Sequence, residues 1–231
     1  MQTMPFPGFP KECVEFLQKL KKNNNKPWFE KHKEDYENYV LNPARDFVVA
    51  MGERLATISP DIHADPRINK SLFKIYRDIR FTKDKTPFKT NLGIWFWEGE
   101  GARFGHSGFY FHLEPPSIML AAGVYDFDKA LLLRFRQAVV HKVRGPALAR
   151  AIAKVKAAGS YELGGAHFKQ TPRGFDPRHK LAEYLRYNSL YAMLSLPIPD
   201  SLFTPRIVEI SLKAFKDMAP LHRWLVDMIN R

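Results

Sequence analysis

One cysteine, Cys13, is all that 231 residues contain, so no internal disulfide can form. No Cys/His set stands at zinc-site spacing either, which excludes a structural zinc module. Long apolar runs are also missing. The segment MQTMPFPGFPKE has nothing like the roughly 7–15-residue apolar stretch of a signal peptide, and no window approaches the roughly 18 apolar residues of a membrane span. No Walker lysine pattern and no GxGxxG after a strand is present, which closes the common nucleotide-binding routes. Acid is in deficit: 24 Asp+Glu stand against 36 Lys+Arg, a formal charge of +12. These absences predict a cytoplasmic protein that spans no membrane, holds no metal or cofactor, and has an anionic partner, if any.

What is present is an ordinary globular composition, 45% hydrophobic and 26% charged, which excludes disordered, collagenous and fibrous classes. The length allows one large domain or two small ones. Without repeats, low-complexity tracts or a flexible linker, a single domain over residues 1–231 is the expectation.

Three apolar stripes at helical spacing fill the first 60 residues. Cys13, Phe16, Leu17 and Leu20 form the first, which marks Cys13 as a buried small hydrophobe rather than a nucleophile. Asn23-Asn24-Asn25 caps that helix and restarts another on Trp28, Phe29, His32, Tyr36, Tyr39 and Val40. Asn42 is predicted as N-cap, with Pro43 at the first helical position, of a third helix on Ala44, Phe47, Val48, Met51 and Leu55.

Period two then takes over. Phe73 and Ile75, then Leu92, Ile94 and Phe96, then Phe109, Phe111 and Leu113 each alternate with more polar or aromatic neighbours, and Ile118–Val124 follows the Pro115-Pro116 turn. Strands joined in this way pair most simply antiparallel. Helical spacing returns over residues 131–139, after Gly145-Pro146, briefly after Asp176-Pro177, and from Thr204-Pro205 onward with a restart at Ala219-Pro220. One more strand is predicted over Leu190–Leu196. Strand–helix–strand alternation is absent, so the fold class is α+β: a mainly antiparallel sheet covered by N-terminal and C-terminal helices.

The positive charge is confined to two segments. Residues 67–91 hold eight basic residues against two acidic ones, and residues 129–161 hold eight with no acid, leaving the remainder slightly acidic. In the second segment the bases fall between apolar stripe positions, as a solvated helix face requires. The first is denser: Arg77, Asp78, Arg80, Lys83, Asp84, Lys85 and Lys89 place each acid beside a base. Arginine offers a planar fork for phosphate and lysine a point charge, so these residues form a candidate anion cradle with Asp78 and Asp84 fixing the cations. The same pattern reads equally as a salt-bridge network anchoring a loop to the N-terminal helices.

The stretch from Arg77 to Lys89 resembles the signature Arg-Asp-x-Arg-Phe-Ser/Thr-Lys-Asp-Lys-x-Pro-Tyr/Phe-Lys of a bacterial family, domain-of-unknown-function family 2461. Similarity extends to Asn23–Phe29, Gly108–Pro115, Gly123-Val124-Tyr125 and the Arg186-Tyr187 region, covering nearly the whole chain. It departs at Ser107, where the family pattern has proline, and at Arg178-His179. The resemblance implies one family-length domain and no particular activity.

On the strand carrying Phe109, Phe111 and Leu113, the alternate residues Tyr110, His112 and Glu114 share the opposite face. A histidine between a phenol and a carboxylate suits general acid–base chemistry on an anionic small molecule, yet three polar residues are also what the outer face of an antiparallel strand ordinarily shows. The adjacent Trp95 and Trp97 raise nucleic-acid stacking against simple core packing. Three functional readings therefore stand: binding of a phosphorylated small molecule or nucleic acid, an enzyme using His112 and Glu114, or a structural module in which the basic motif is internal scaffold.

Overall fold

The computed structural model describes residues 6–100 and 105–230. Part of the glycine-rich connection expected between Glu98 and Gly108 lies outside them. The fold is α+β, as the patterning predicts. The opening helices are α1 (Lys11–Lys22), α2 (Lys26–Lys31), α3 (Lys33–Tyr36) and α4 (Asn42–Leu55). The strands are β1 (Ile62–His63), β2 (Leu92–Glu98), β3 (Gly108–Glu114), β4 (Ser117–Val124), β5 (Glu162–Ala166) and β6 (Tyr187–Pro197), and the later helices are α5 (Lys129–Val140), α6 (Arg144–Ala158) and α7 (Arg206–Asn230). The antiparallel sheet has the order β1-β2-β3-β4-β6-β5. The chain divides into two compact units, one of the residues up to Phe96 with Tyr110–Met119 and Ser195–Leu212, the other of Trp97–Phe109, Leu120–Leu194 and the residues from Lys213 on.

In the first unit, the α1 stripe Cys13, Phe16, Leu17 and Leu20 is buried, and burial pushes the Cys13 thiol up to about 12, so it is inert as a nucleophile. Asn25 caps α2 by accepting from Trp28 N at 3.0 Å. Asn42 does not cap α4. It lies in helical conformation, and its N–H reaches back five residues to Glu37 O, because a π turn over Glu37–Leu41 runs directly into α4. Pro43 has no N–H, and its ring crowds the carbonyl four residues back; the widened turn accommodates it without a break. From α4, Phe47 packs on Phe111 of β3 with ring centroids 4.8 Å apart, and Phe9 stacks on the same ring at 5.7 Å.

No strand forms over Phe73–Tyr76. The backbone there is shared between two partners: Phe73 N donates to Gly93 O at 3.2 Å, while Lys89 N donates to Ile75 O at 2.7 Å and Arg77 N to Pro87 O at 2.9 Å. Neither set of bonds extends into a ladder, so only isolated bridges remain, Leu72 with Ile94 and Tyr76 with Phe88.

In the second unit, Phe215 of α7 lies 5.1 Å from Phe109 of β3 between ring centroids. Within this unit Phe109 is thus covered by the C-terminal helix. Pro220 sits inside α7 without interrupting it. After Asp176-Pro177 the chain makes turns of the i→i+3 type and reaches a 3₁₀ helix only at Ala182–Arg186, so the short helix is displaced from its predicted start. The Gly164-Gly165 stretch is strand β5. Its glycines carry no strand signal of their own, but a Cβ on Gly164 would lie 2.2 Å from the Tyr191 ring, and Gly165 takes φ +110° at a register shift against β6.

Candidate functional site

The basic motif is a ribbon closed on itself. The bonds Arg77 N to Pro87 O and Lys89 N to Ile75 O zip its two ends and leave residues 78–86 as a loop. Phe88 anchors it: buried, its ring stacks on Phe29 at 4.2 Å, and its backbone is clamped by Asn24, whose Nδ2 donates to Phe88 O at 2.9 Å while Oδ1 accepts from Phe88 N at 3.0 Å. An amide side chain here supplies the donor and acceptor a neighbouring strand would have offered.

The charged residues of the loop bond to partners within the ribbon. Arg77 Nη1 donates to Asp84 Oδ2 at 2.5 Å and also to Thr86 Oγ1. Arg80 forks onto Asp78, Nε to Oδ1 at 2.9 Å and Nη2 to Oδ2 at 2.7 Å, and Lys85 Nζ donates to Ile79 O at 2.8 Å. Asp84 Oδ1 takes the Thr86 N–H at 2.9 Å; this bond first, and Arg77 after it, hold its carboxyl down at about 2. Asp78 is lowered as well, chiefly by Arg80. Lys89 turns toward the Phe73 ring at 5.2 Å. Arg80, Lys83 and Lys85 are exposed, and Phe81 between them is 93% exposed. The expected network is therefore present, but it does not tie the loop to the helices. Asn24 and the Phe88 ring do that.

The motif leads through Lys89 into the second group of predicted residues. Tyr110, His112 and Glu114 line the outer face of β3, each partly exposed, opposite fully buried Phe109, Phe111 and Leu113. Tyr110 Oη lies 3.0 Å from His112 Nδ1, and His112 Nε2 lies 3.5 Å from Glu114 Oε2. A carboxylate only accepts, so Nε2 carries the proton and Nδ1 accepts from the phenol. Burial lowers the His112 pKa from its ordinary value and Glu114 opposes the shift, which keeps the ring neutral at pH 7. Residues directly after Lys89 extend the row: Thr90 Oγ1 donates to Glu114 Oε1 at 3.2 Å and Asn91 Nδ2 approaches His112 Nδ1 at 3.4 Å, while Lys21 Nζ of α1 stands 3.9 Å from Glu114. Gly93 makes the room, since a Cβ there would meet Tyr110 Oη at 2.6 Å.

A family model described as conserved hypothetical protein (DUF2461) matches residues 12–224. The chain belongs to the DUF2461 family. The match spans α1 to α7 and includes both the basic ribbon and the β3 row, so the resemblance read from Arg77–Lys89 holds along nearly the whole chain. Among curated proteins and among solved structures nothing matches.

This DUF2461 member also contains a polar cluster that sequence reasoning passed over. His222 on α7 is 1% exposed, with Nε2 3.0 Å from Glu98 Oε2 and Nδ1 2.9 Å from the buried Ser107 Oγ. Its signal was present: Phe215, Met218, His222 and Leu225 alternate three and four apart, which places a histidine in an apolar stripe where it must find buried partners. Ser107 is one of them. Two concavities lie away from both predicted groups: one of about 500 Å³ includes Arg45, Val49 and Arg67 in its wall, and one of about 250 Å³ includes His167, Phe168 and Arg186. Among the described residues no three His, Cys, Asp or Glu side chains are grouped to hold a metal ion, and no helix is long and apolar enough to cross a membrane.

Proposed function

We propose that the protein binds a phosphate-bearing anion through the loop between Arg77 and Lys89. The observation that carries this reading is the division of labour in the ribbon. Phe88 and Asn24 supply the anchorage, whereas the ion pairs of Arg77, Arg80, Asp78 and Asp84 join the loop only to itself. Exposed ion pairs are worth roughly 0–1 kcal/mol each, so such pairs are poor scaffolding. They do restrict the guanidinium groups. Arg80 uses Nε and one face of Nη2 on Asp78 and keeps its remaining N–H donors for an incoming oxyanion. With Lys83 and Lys85 exposed beside it, the loop presents three cations to solvent.

Titration of the protein with inorganic polyphosphate at low ionic strength tests this. Binding that falls as salt is added, and that weakens in Arg80→Ala/Lys83→Ala/Lys85→Ala with circular dichroism unchanged, is expected. An affinity that is absent, or that the triple variant retains, removes the reading.

A second reading, acid–base chemistry on an anionic small molecule, draws support from the hydrogen-bonded row Tyr110–His112–Glu114 beside Lys21. Both imidazole nitrogens already have protein partners, so Glu114, the more exposed member, is the group a substrate would reach first. A substrate-profile screen in which His112→Ala keeps every activity found would remove it.

A further inference from the structure

Phe81 is the least expected residue on the surface. It sits in the middle of the cationic loop with 93% of its surface in water, while the other aromatic residues of the ribbon, Tyr76 and Phe88, lean on one another and on Phe29. The Arg80 guanidinium carbon lies 5.5 Å from the Phe81 ring centroid. A ring this exposed does nothing for the core, and leaving a phenylalanine side chain in water forgoes burial worth roughly 1.5–3 kcal/mol.

We infer that Phe81 is a stacking platform for a nucleobase and that the ligand of the loop is single-stranded nucleic acid. The inference rests on the anion-binding reading above and deepens it. Three features of the loop favour a flexible polyanion over a small phosphate. Lys74, Arg77, Arg80 and Lys83 recur every third residue, so the cations follow one another along the chain. Arg77 and Arg80 are each turned onto a different carboxylate, so their forks do not converge on one oxyanion. Neither of the two concavities described above includes a loop residue in its wall. A track of cations, with Lys74, Arg80 and Lys83 exposed and Arg77 half-buried, interrupted by one exposed ring is the arrangement that binds unpaired strands, with phosphates on the cations and a base on the ring. Base pairs in a duplex keep their faces stacked internally and have none to offer Phe81.

The test compares fluorescein-labelled oligo(dT), the same strand annealed to oligo(dA), inorganic polyphosphate, and vesicles of phosphatidylserine in phosphatidylcholine. The proteins are wild type, Phe81→Ala and Phe81→Trp. Phe81→Ala is expected to lose about 5- to 100-fold in affinity for oligo(dT), leave polyphosphate affinity unchanged, and keep the wild-type slope of log K against log salt. Phe81→Trp is expected to restore oligo(dT) binding. If polyphosphate and oligo(dT) bind but Phe81→Ala binds both as tightly as wild type does, the stacking inference falls and the anion-binding reading stands. If neither polyanion binds, both fall. Preference for the duplex, or Phe81-dependent capture by the anionic vesicles without oligo(dT) binding, overturns the nucleic-acid assignment.

Discussion

Arg77 Nη1 meets Asp84 Oδ2 at 2.5 Å across the base of the cationic loop, and both residues belong to the ribbon that carries it. The ion pairs of the loop thus close within the ribbon. Its link to the helices is made by an apolar ring and an amide, neither of which titrates.

That arrangement gives Asp84 a pH signature. Its folded-state pKa, about 2, is depressed below the roughly 3.9 of an unfolded aspartate, so its ordering effect is complete above pH ~4 and is lost as pH falls toward 2. Carboxyl carbon shifts in a ¹³C NMR titration should place its midpoint near 2 in the wild type. Arg77→Gln should move the midpoint upward only in part, because the Thr86 N–H is the larger cause of the depression. An unchanged midpoint in Arg77→Gln would contradict the pairing.

The β3 row carries the opposite pair of influences. Burial lowers the His112 pKa and Glu114 raises it, so Glu114→Gln should lower it further, read from imidazole chemical shifts. Because the folded-state pKa lies below the unfolded one, the neutral ring contributes stability that is present above pH ~6.5 and lost as pH falls below it. A rise in the His112 pKa in Glu114→Gln would count against the contact.

Gly93 and Tyr110 should show energetic coupling. Gly93→Ala pushes a methyl toward Tyr110 Oη, a Cβ at that position lying 2.6 Å from the oxygen, and should cost about 1–3 kcal/mol by urea denaturation. Tyr110→Phe removes the atom in conflict, so the double variant should be more stable than the sum of the two losses predicts. Strict additivity would mean that the hydroxyl is not what the methyl meets.

His222→Leu keeps an apolar contact with Phe109, whose ring centroid lies 4.5 Å from the imidazole, but deprives buried Ser107 and Glu98 of that imidazole. A loss of about 2–4 kcal/mol is expected, against about 1 kcal/mol for Ser107→Ala, which removes one partner and leaves the Glu98 contact. Equal stability of His222→Leu and wild type in guanidinium unfolding would show that the cluster contributes nothing.

Legibility in the sequence followed the range of the forces involved. The stripes of α1, α4 and α7 were readable because helical periodicity and burial are two expressions of one geometry, and the Tyr110–His112–Glu114 row because a strand puts alternate residues on one face. The π turn before Pro43 was not readable: the sequence shows that proline disturbs a helix, and only neighbouring contacts select widening over termination. β5 escaped because Gly164 is there to make way for the Tyr191 ring, 27 residues further along the chain.

The sequence by itself determined the fold class, the family and the local charge pairs, since each depends on residues within a few positions of one another. Tertiary structure alone decided that Asn24 holds Phe88 across 64 residues, that His222 finds Ser107 across 115, and that Phe81 is left in water. Periodicity records which residues prefer burial. Which partner meets each of them, and which apolar side chain is left without one, depends on how distant segments pack, and no local pattern encodes that.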